Sequence, residues 1–341
     1  MQKQKLVSGM RPTGKLHLGH YEGVLTNWLK LQEDYNCFFF VADWHALTTK
    51  YDQTENLKQD RIDVVLDWLA SGIDPNKSTI YVQSQIPQIA ELHVLLSMIT
   101  PQNWVERDPT LKDMAKIIRS KEGQNNKSEA MPQLSYGLLG YPVLMTADIL
   151  SFNGAVVPVG IDQLAHLEIS RDIARRFNNI YKTDFFNEPA AKLTQIPLLK
   201  GVDGQKMGKS FNNDIKISDT EEATAAKIMK AITDRSRARK DDPGHPDKCE
   251  VAFDYYKNFA DVETINMVES ECKAGSRGCA DCKRQLGNIV NNKFSSIREK
   301  RESFAQNIDG VLDIINEGNK KAKIEAENVL KHIRSLVKID M

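Results

Sequence analysis

The chain lacks the long apolar run that a membrane helix needs, about 18 residues without charges. A helical membrane protein is therefore not expected. It has no charge of one sign in excess: 46 Lys and Arg stand against 46 Asp and Glu. Any nucleic-acid surface must then be local rather than global. Internal repeats and low-complexity tracts are missing. The opening "MQKQKLVSG" is basic, but no apolar segment follows it as in a secretory signal, so the expected compartment is the cytoplasm. Cysteine is scarce, five in 341 residues. Four of the five fall between Cys249 and Cys282. Disulfides are disfavoured in the cytosol, so gathered cysteines there point to metal.

What is present is alternation. "KLVSG" (5–9), "CFFFVAD" (37–43), "STIYVQS" (78–84) and "AVVPVG" (155–160) read as strands. The second is apolar throughout, as expected of a strand buried on both faces. Helical patterns lie between them, at about 20–33, 54–71, 141–152 and 162–177. Strand–helix alternation implies βαβ units and a parallel sheet, an α/β fold of the Rossmann-like type. An irregular polar stretch over about 100–140 reads as an insertion, and beyond about 215 the strand signals fade into helices. The expected division is a catalytic domain over 1–217 and a helical domain over 218–341, with the last helix packing back on the first domain.

Two short motifs carry chemistry. In "SGMRPTGKLHLGHYEGVL" (8–25) a strand ends, a glycine turn follows and a helix begins at "HLGH". A helix N-terminus offers free N–H groups and a partial positive charge, which suits phosphate. His17 and His20 are three apart and face one way, and Gly19 lets a nucleotide approach the backbone. In "DGQKMGKS" (203–210), Lys206 and Lys209 bracket a glycine-containing loop. Two flexible ammonium groups can follow charge developing on a leaving pyrophosphate. Taken alone this segment reads more readily as a solvated basic turn, whereas for the histidines a surface pair is the lesser reading. The order of the two motifs, one after the first strand and one after the last, is what speaks against chance.

"HLGH" resembles the HIGH signature, and "KMGKS" the KMSKS loop, of class I aminoacyl-tRNA synthetases. "SGMRPTGKLHLGH", "FFFVADWHALTT", "YPVLMTADIL", "VPVGIDQLAHLEISRDIARRFN" and "EGNKKA" resemble the bacterial tryptophanyl-tRNA synthetases over nearly the whole chain. The resemblance implies two reactions: tryptophan plus ATP to tryptophanyl-adenylate and pyrophosphate, then transfer to the 3′ end of tRNA(Trp). Mg²⁺ would accompany ATP. His17, His20, Lys206 and Lys209 would be the catalytic set. Arg11, Thr13, Gly19, Gly160, Asp162, Leu198, Met207, Gly208 and Ser210 would complete the ATP site. A homodimer is implied, with one tRNA spanning two subunits. Two other classes remain: a nucleotidyltransferase acting on a small metabolite, and a non-catalytic synthetase paralogue. The first usually lacks the lysine loop; the second would have lost a motif histidine or lysine, and all four are present.

Tyr141, Met145 and Asp148 fall at i, i+4 and i+7 on one helix face. By resemblance the aspartate accepts the indole N–H, the methionine packs on the ring, the tyrosine holds the amino-acid end, and Gln163 contacts the substrate. A buried acceptor rejects a side chain without the matching donor. The alternative is that Asp148 pairs inside the fold. Three positions depart from the family's habit: Gly208 for serine, Ile161 for an acidic residue, and Val7 for an aromatic.

The cysteines are spaced C-x22-C-x6-C-x2-C: Cys249, Cys272, Cys279 and Cys282. Such a set can hold a Cys₄ zinc or a [4Fe–4S] cluster. Only one close pair is present, which favours iron–sulfur. A subset of the resembled family carries this spacing and binds [4Fe–4S], which puts the cluster first, Zn²⁺ second and free thiols third. Cys37, on an apolar strand, reads as a buried small residue. "DRSRARKDD" (234–242), with Arg235, Arg237, Arg239 and Lys240, reads equally as a tRNA phosphate contact or a solvated loop.

Overall fold

The computed structural model describes residues 3–108, 111, 134–160, 164–194, 199–237, 239 and 241–340. Most of the expected 100–140 insertion lies outside these residues.

Five strands form one parallel sheet: β1 (Lys5–Met10), β2 (Asn36–Val41), β3 (Ser78–Val82), β4 (Val156–Val159) and β5 (Ala190–Leu193). Their order is β3-β2-β1-β4-β5. Chain order therefore reverses between β1 and β4, and such a switch point opens a crevice at the strands' carboxyl ends. The β2 run Cys37–Val41 is buried throughout, with Phe38 and Phe39 on opposite faces: Phe39 stacks on Trp28 at 4.1 Å and Phe38 meets Phe152 at 4.5 Å. An all-apolar strand is what a sheet covered by helices on both sides requires. β5 was not foreseen. It is short and its residues are mostly exposed, so it carries none of the apolar signal that marks the other strands.

The rest is helical. Helices Glu221–Met229, Ala252–Phe259, Val262–Lys273 and Cys279–Gln306 pack together, and Leu286, Val290 and Phe294 of the last are fully buried. The final helix, Ile308–Val337, covers the sheet edge at β3. The stretch "EGNKKA" explains that docking. A Cβ on Gly318 would stand 1.7 Å from the Ile80 carbonyl oxygen, so only glycine allows this approach. Asn319 Oδ1 accepts the Val82 N–H at 2.9 Å, and Ala322 is wholly buried. Lys5–Glu325 and Arg334–Glu91 ion pairs flank the contact at 2.7 and 2.6 Å. An edge that would otherwise expose unpaired backbone is thereby covered.

Candidate active site and cysteine cavity

The crevice at the switch point is a cavity of about 500 Å³. Val7–Met10 of β1 and Val157–Val159 of β4 form its floor, Phe40 of β2 and Ala42 and His45 just beyond it enter beside them, and Arg11, Thr13, His20, Tyr141, Met145, Asp148, Gly160 and His166 complete the wall. Tyr141, Met145 and Asp148 come from helix Tyr141–Leu150, whose face the i, i+4, i+7 spacing had marked. Asp162, Gln163, Ile161 and Leu198 lie outside the described residues, as does the Ser210 side chain.

At the phosphate end, helix Leu18–His20 runs into a π-turn, Tyr21–Leu25, before helix Thr26–Asp34. Such π-turns recur at functional sites. The two histidine rings lie 3.8 Å apart, and the His17 N–H points to His20 Nδ1 at 3.4 Å. Burial first, then the Lys209 charge, lowers the His17 pKa to about 4. Burial, His17 and the two motif lysines drive His20 well below its ordinary value. Both are neutral near pH 7 and can donate without carrying charge. His17 Nδ1 is buried with no hydrogen-bond partner among the described residues. A Cβ on Gly19 would sit 3.1 Å from the His17 ring, so glycine here spares the ring as well as opening the backbone.

The lysine loop is a tight turn closed by the Gly201 N–H to Gln205 carbonyl bond at 2.7 Å. Gly204 takes φ +84°, a left-handed conformation suited to glycine. Asn213, which the sequence reading passed over, holds the loop: it donates to Asp203 Oδ1 (2.8 Å) and the Lys206 carbonyl (3.1 Å) and accepts from the Gly208 N–H (2.9 Å). Gly208 has φ −169°, extended backbone that serine adopts equally well. Met207 is buried against the loop and Lys206 is exposed. Lys209 Nζ donates to the Thr13 and Gly14 carbonyls at 2.8 and 2.7 Å. Burial lowers its pKa to about 8, despite the Asp60 and Asp67 carboxylates. Backbone bonds from Leu18 N–H to Ile215 (2.9 Å) and Ile217 N–H to Leu16 (2.9 Å) tie the two motifs into one unit. Leu16 N–H in turn donates to buried Asp67, which takes Arg301 Nε at 2.5 Å from helix Cys279–Gln306.

At the other end, Asp148 is 1% exposed. Burial pushes its carboxyl up, and bonds from His45 and Gln83 pull it back. His45 Nε2 lies 2.8 Å from Oδ2, and Gln83 Nε2 donates to both oxygens at 2.8 and 2.9 Å. A carboxylate offers about four acceptor positions; these three contacts leave room for one more donor from the cavity. Asp148 thus pairs inside the fold and still faces the cavity, so the two readings of it are not exclusive. His45 and Gln83 were missed. Both lie just past the carboxyl ends of β2 and β3, which is where an open α/β sheet places ligand residues.

The four cysteines converge although 33 residues separate the first from the last. Cys249 follows the turn Pro246–Lys248, Cys272 ends helix Val262–Lys273, and Cys279 and Cys282 open helix Cys279–Gln306. All four line one cavity of about 30 Å³ with Arg237, Arg277 and Gly244. A Cβ on Gly244 would stand 2.5 Å from Cys272 Sγ. No disulfide joins them. No three His, Cys, Asp or Glu side chains among the described residues are drawn to metal-ligand spacing. The shared cavity is nonetheless the more telling observation, because soft sulfur donors from four separate backbone positions meet there. Arg237 points inward, to the Arg277 carbonyl at 2.8 Å and Cys279 Sγ at 3.9 Å, while Arg235 and Arg239 are exposed. Lys240 lies outside the described residues. Cys37 is buried within β2.

Residues 1–295 match the family of tRNA synthetases class I (W and Y). The chain is 44% identical to a tryptophan–tRNA ligase of Thermotoga maritima, over 97% of this chain and 98% of that one. It is 39% identical to a tryptophan–tRNA ligase of Aquifex aeolicus, over 98% and 100%. Among solved structures, the tryptophanyl-tRNA synthetase of Campylobacter jejuni complexed with ADP and tryptophan superimposes with a TM-score of 0.84 at 32% identity, covering 98% of this chain and 99% of that one.

Proposed function

We infer, from the premise that this chain belongs to the class I tRNA synthetases for tryptophan and tyrosine, that it joins tryptophan to its tRNA in two steps within the switch-point cavity. The tryptophan carboxylate attacks the α-phosphorus of ATP, the bond to the β-phosphate oxygen breaks, and pyrophosphate leaves. The 3′-terminal ribose hydroxyl of tRNA(Trp) then displaces AMP from the adenylate.

The observation that carries the choice of amino acid is Asp148. It is a buried carboxylate, already fixed by His45 and Gln83, with one acceptor position toward a cavity floored by Met145 and Phe40. An indole N–H meets that position. A ring without a donor leaves it unpaired, at about 1–3 kcal/mol. At the other end neutral His17 and His20 donate to phosphate oxygens, with Arg11, Thr13, Gly19 and Gly160 shaping the nucleotide's bed. Lys206 and Lys209, with Met207 and Gly208 between them, follow the charge onto pyrophosphate. Adenylate formation needs no general base, since a carboxylate is a nucleophile as it stands, and in the transfer step the ribose hydroxyl's proton leaves to the departing AMP phosphate; positioning and electrostatics do the rest. ATP brings Mg²⁺ with it. Asp162, Gln163, Leu198 and Ser210 complete the site in this reading.

The division of labour follows 1–217 for catalysis and 218–341 for tRNA, in a homodimer. The four cysteines hold a metal group whose role is structural, since it stands apart from the phosphate motifs: a [4Fe–4S] cluster by their spacing, with Zn²⁺ as the second reading because a 30 Å³ cavity accepts one ion as it stands. Iron, sulfide and zinc counts on anaerobically purified protein separate the two.

Pyrophosphate exchange with each of the twenty amino acids tests the whole assignment. Exchange with tryptophan alone is expected. Exchange with tyrosine, or with none, overturns it.

A further inference from the structure

Helix Tyr141–Leu150 places Asp148 and Tyr141 about 10 Å apart along its axis. The indole end belongs to Asp148, so the α-ammonium end falls near Tyr141. Arg11 and Tyr141 line the same cavity. An ammonium brings a positive charge and only donors. Among the described lining residues Asp148 is the one carboxylate, and it lies at the far end. What, then, receives the ammonium?

Behind the wall lies Asp108, with no exposed surface. Its Oδ1 accepts the Tyr141 hydroxyl at 2.7 Å and the Leu111 N–H at 3.1 Å. Its Oδ2 lies 2.5 Å from His166 Nδ1. Tyr141 and His166 both line the cavity; Asp108 does not. Burial pushes the Asp108 carboxyl up, but the bonds from His166 and Tyr141 outweigh it and hold it below the usual range. An ionised carboxylate is acceptor-only. The hydroxyl proton is therefore committed to Asp108, and the Tyr141 oxygen can only accept from anything else that reaches it.

We propose that Asp108 is a positioning residue for the α-ammonium of tryptophan: by taking the Tyr141 hydroxyl proton it turns that oxygen into an acceptor toward the cavity and supplies the negative charge one layer behind it. This rests on the tryptophan reading above, and it adds a residue that touches no substrate. Asp108→Asn keeps the shape but loses the charge, and its amide can donate to the Tyr141 oxygen, which turns that hydroxyl's proton toward the ligand.

The test is equilibrium binding of three probes by calorimetry: L-tryptophan, tryptamine (ammonium, no carboxylate) and 3-indolepropionate (carboxylate, no ammonium). Asp108→Asn should weaken tryptophan and tryptamine about tenfold or more while 3-indolepropionate stays within about threefold. Tyr141→Phe, which deletes one hydroxyl, should move the same two ligands in the same direction by less, and it decides the matter if Asp108→Asn does not fold. Parallel weakening of all three probes, or no weakening of tryptophan, overturns the proposal. Failure of the unaltered chain to bind tryptophan would instead overturn the functional reading beneath it.

Discussion

The switch-point cavity and the cysteine cavity were both marked by short motifs, yet they solve opposite problems. The first holds about 500 Å³ and the second about 30 Å³. In the first, ionisable groups are settled before any ligand arrives: the histidines are held neutral, and Asp148 and Asp108 are each bonded by side chains from distant segments. In the second, burial raises the pKa of the Cys249, Cys272 and Cys282 thiols, the last to about 11, and neighbouring thiols add to the rise. The first site thus has its charges paired within the fold, while the second gathers thiols that burial keeps protonated.

The sharpest way to separate the two regions is Lys209→Ala. Pyrophosphate exchange should fall by about 10²–10³ in kcat, the scale for losing one preorganised electrostatic contact, while the metal content of the purified protein stays unchanged. Asp148→Asn comes next. The kcat/KM for tryptophan should drop by about 10- to 100-fold, and the preference for tryptophan over phenylalanine should narrow with it; an unaltered preference would remove Asp148 from the recognition. Cys272→Ser attacks the other cavity. Bound metal per chain should be lost and tRNA charging should fall about tenfold, with exchange held within about threefold; if exchange falls equally, the two regions are not independent.

Smaller effects follow from protonation. His17 is harder to protonate folded than unfolded, so the unfolded chain binds more protons in the window between. Stability should then decline as pH falls from about 6.5 toward 4. Melting temperatures across that range should fall less steeply for His17→Gln. Lys209, with a pKa near 8, should be the lysine most readily acylated at pH 8, and ATP should protect it; mass spectrometry of labelled peptides reads both.

Legibility followed the same divide between local and distant. Four strands could be read because their apolar runs are local, and β5 could not because its residues are mostly exposed. "HLGH", "KMGKS" and the face Tyr141–Met145–Asp148 each lie within a turn or two of one element. Asp108 reaches Tyr141 across 33 residues and His166 across 58, and no pattern in "WVERDPTL" sets it apart from a surface acid. His45 and Gln83 meet Asp148 across 103 and 65 residues. Arg237 read as a possible tRNA contact until its neighbours were seen.

The sequence by itself determined the parallel sheet, the two short motifs, the shared face of Tyr141, Met145 and Asp148 and the clustering of four cysteines, because each depends on residues near one another in the chain. Only the tertiary structure decided which hydroxyl Asp108 bonds, that His45 and Gln83 partner the buried Asp148, that Asn213 braces the lysine loop, and that four thiols share one cavity. Those depend on which side chains the strand order and helix packing bring within about 3–4 Å, the range over which hydrogen bonds and buried charges act.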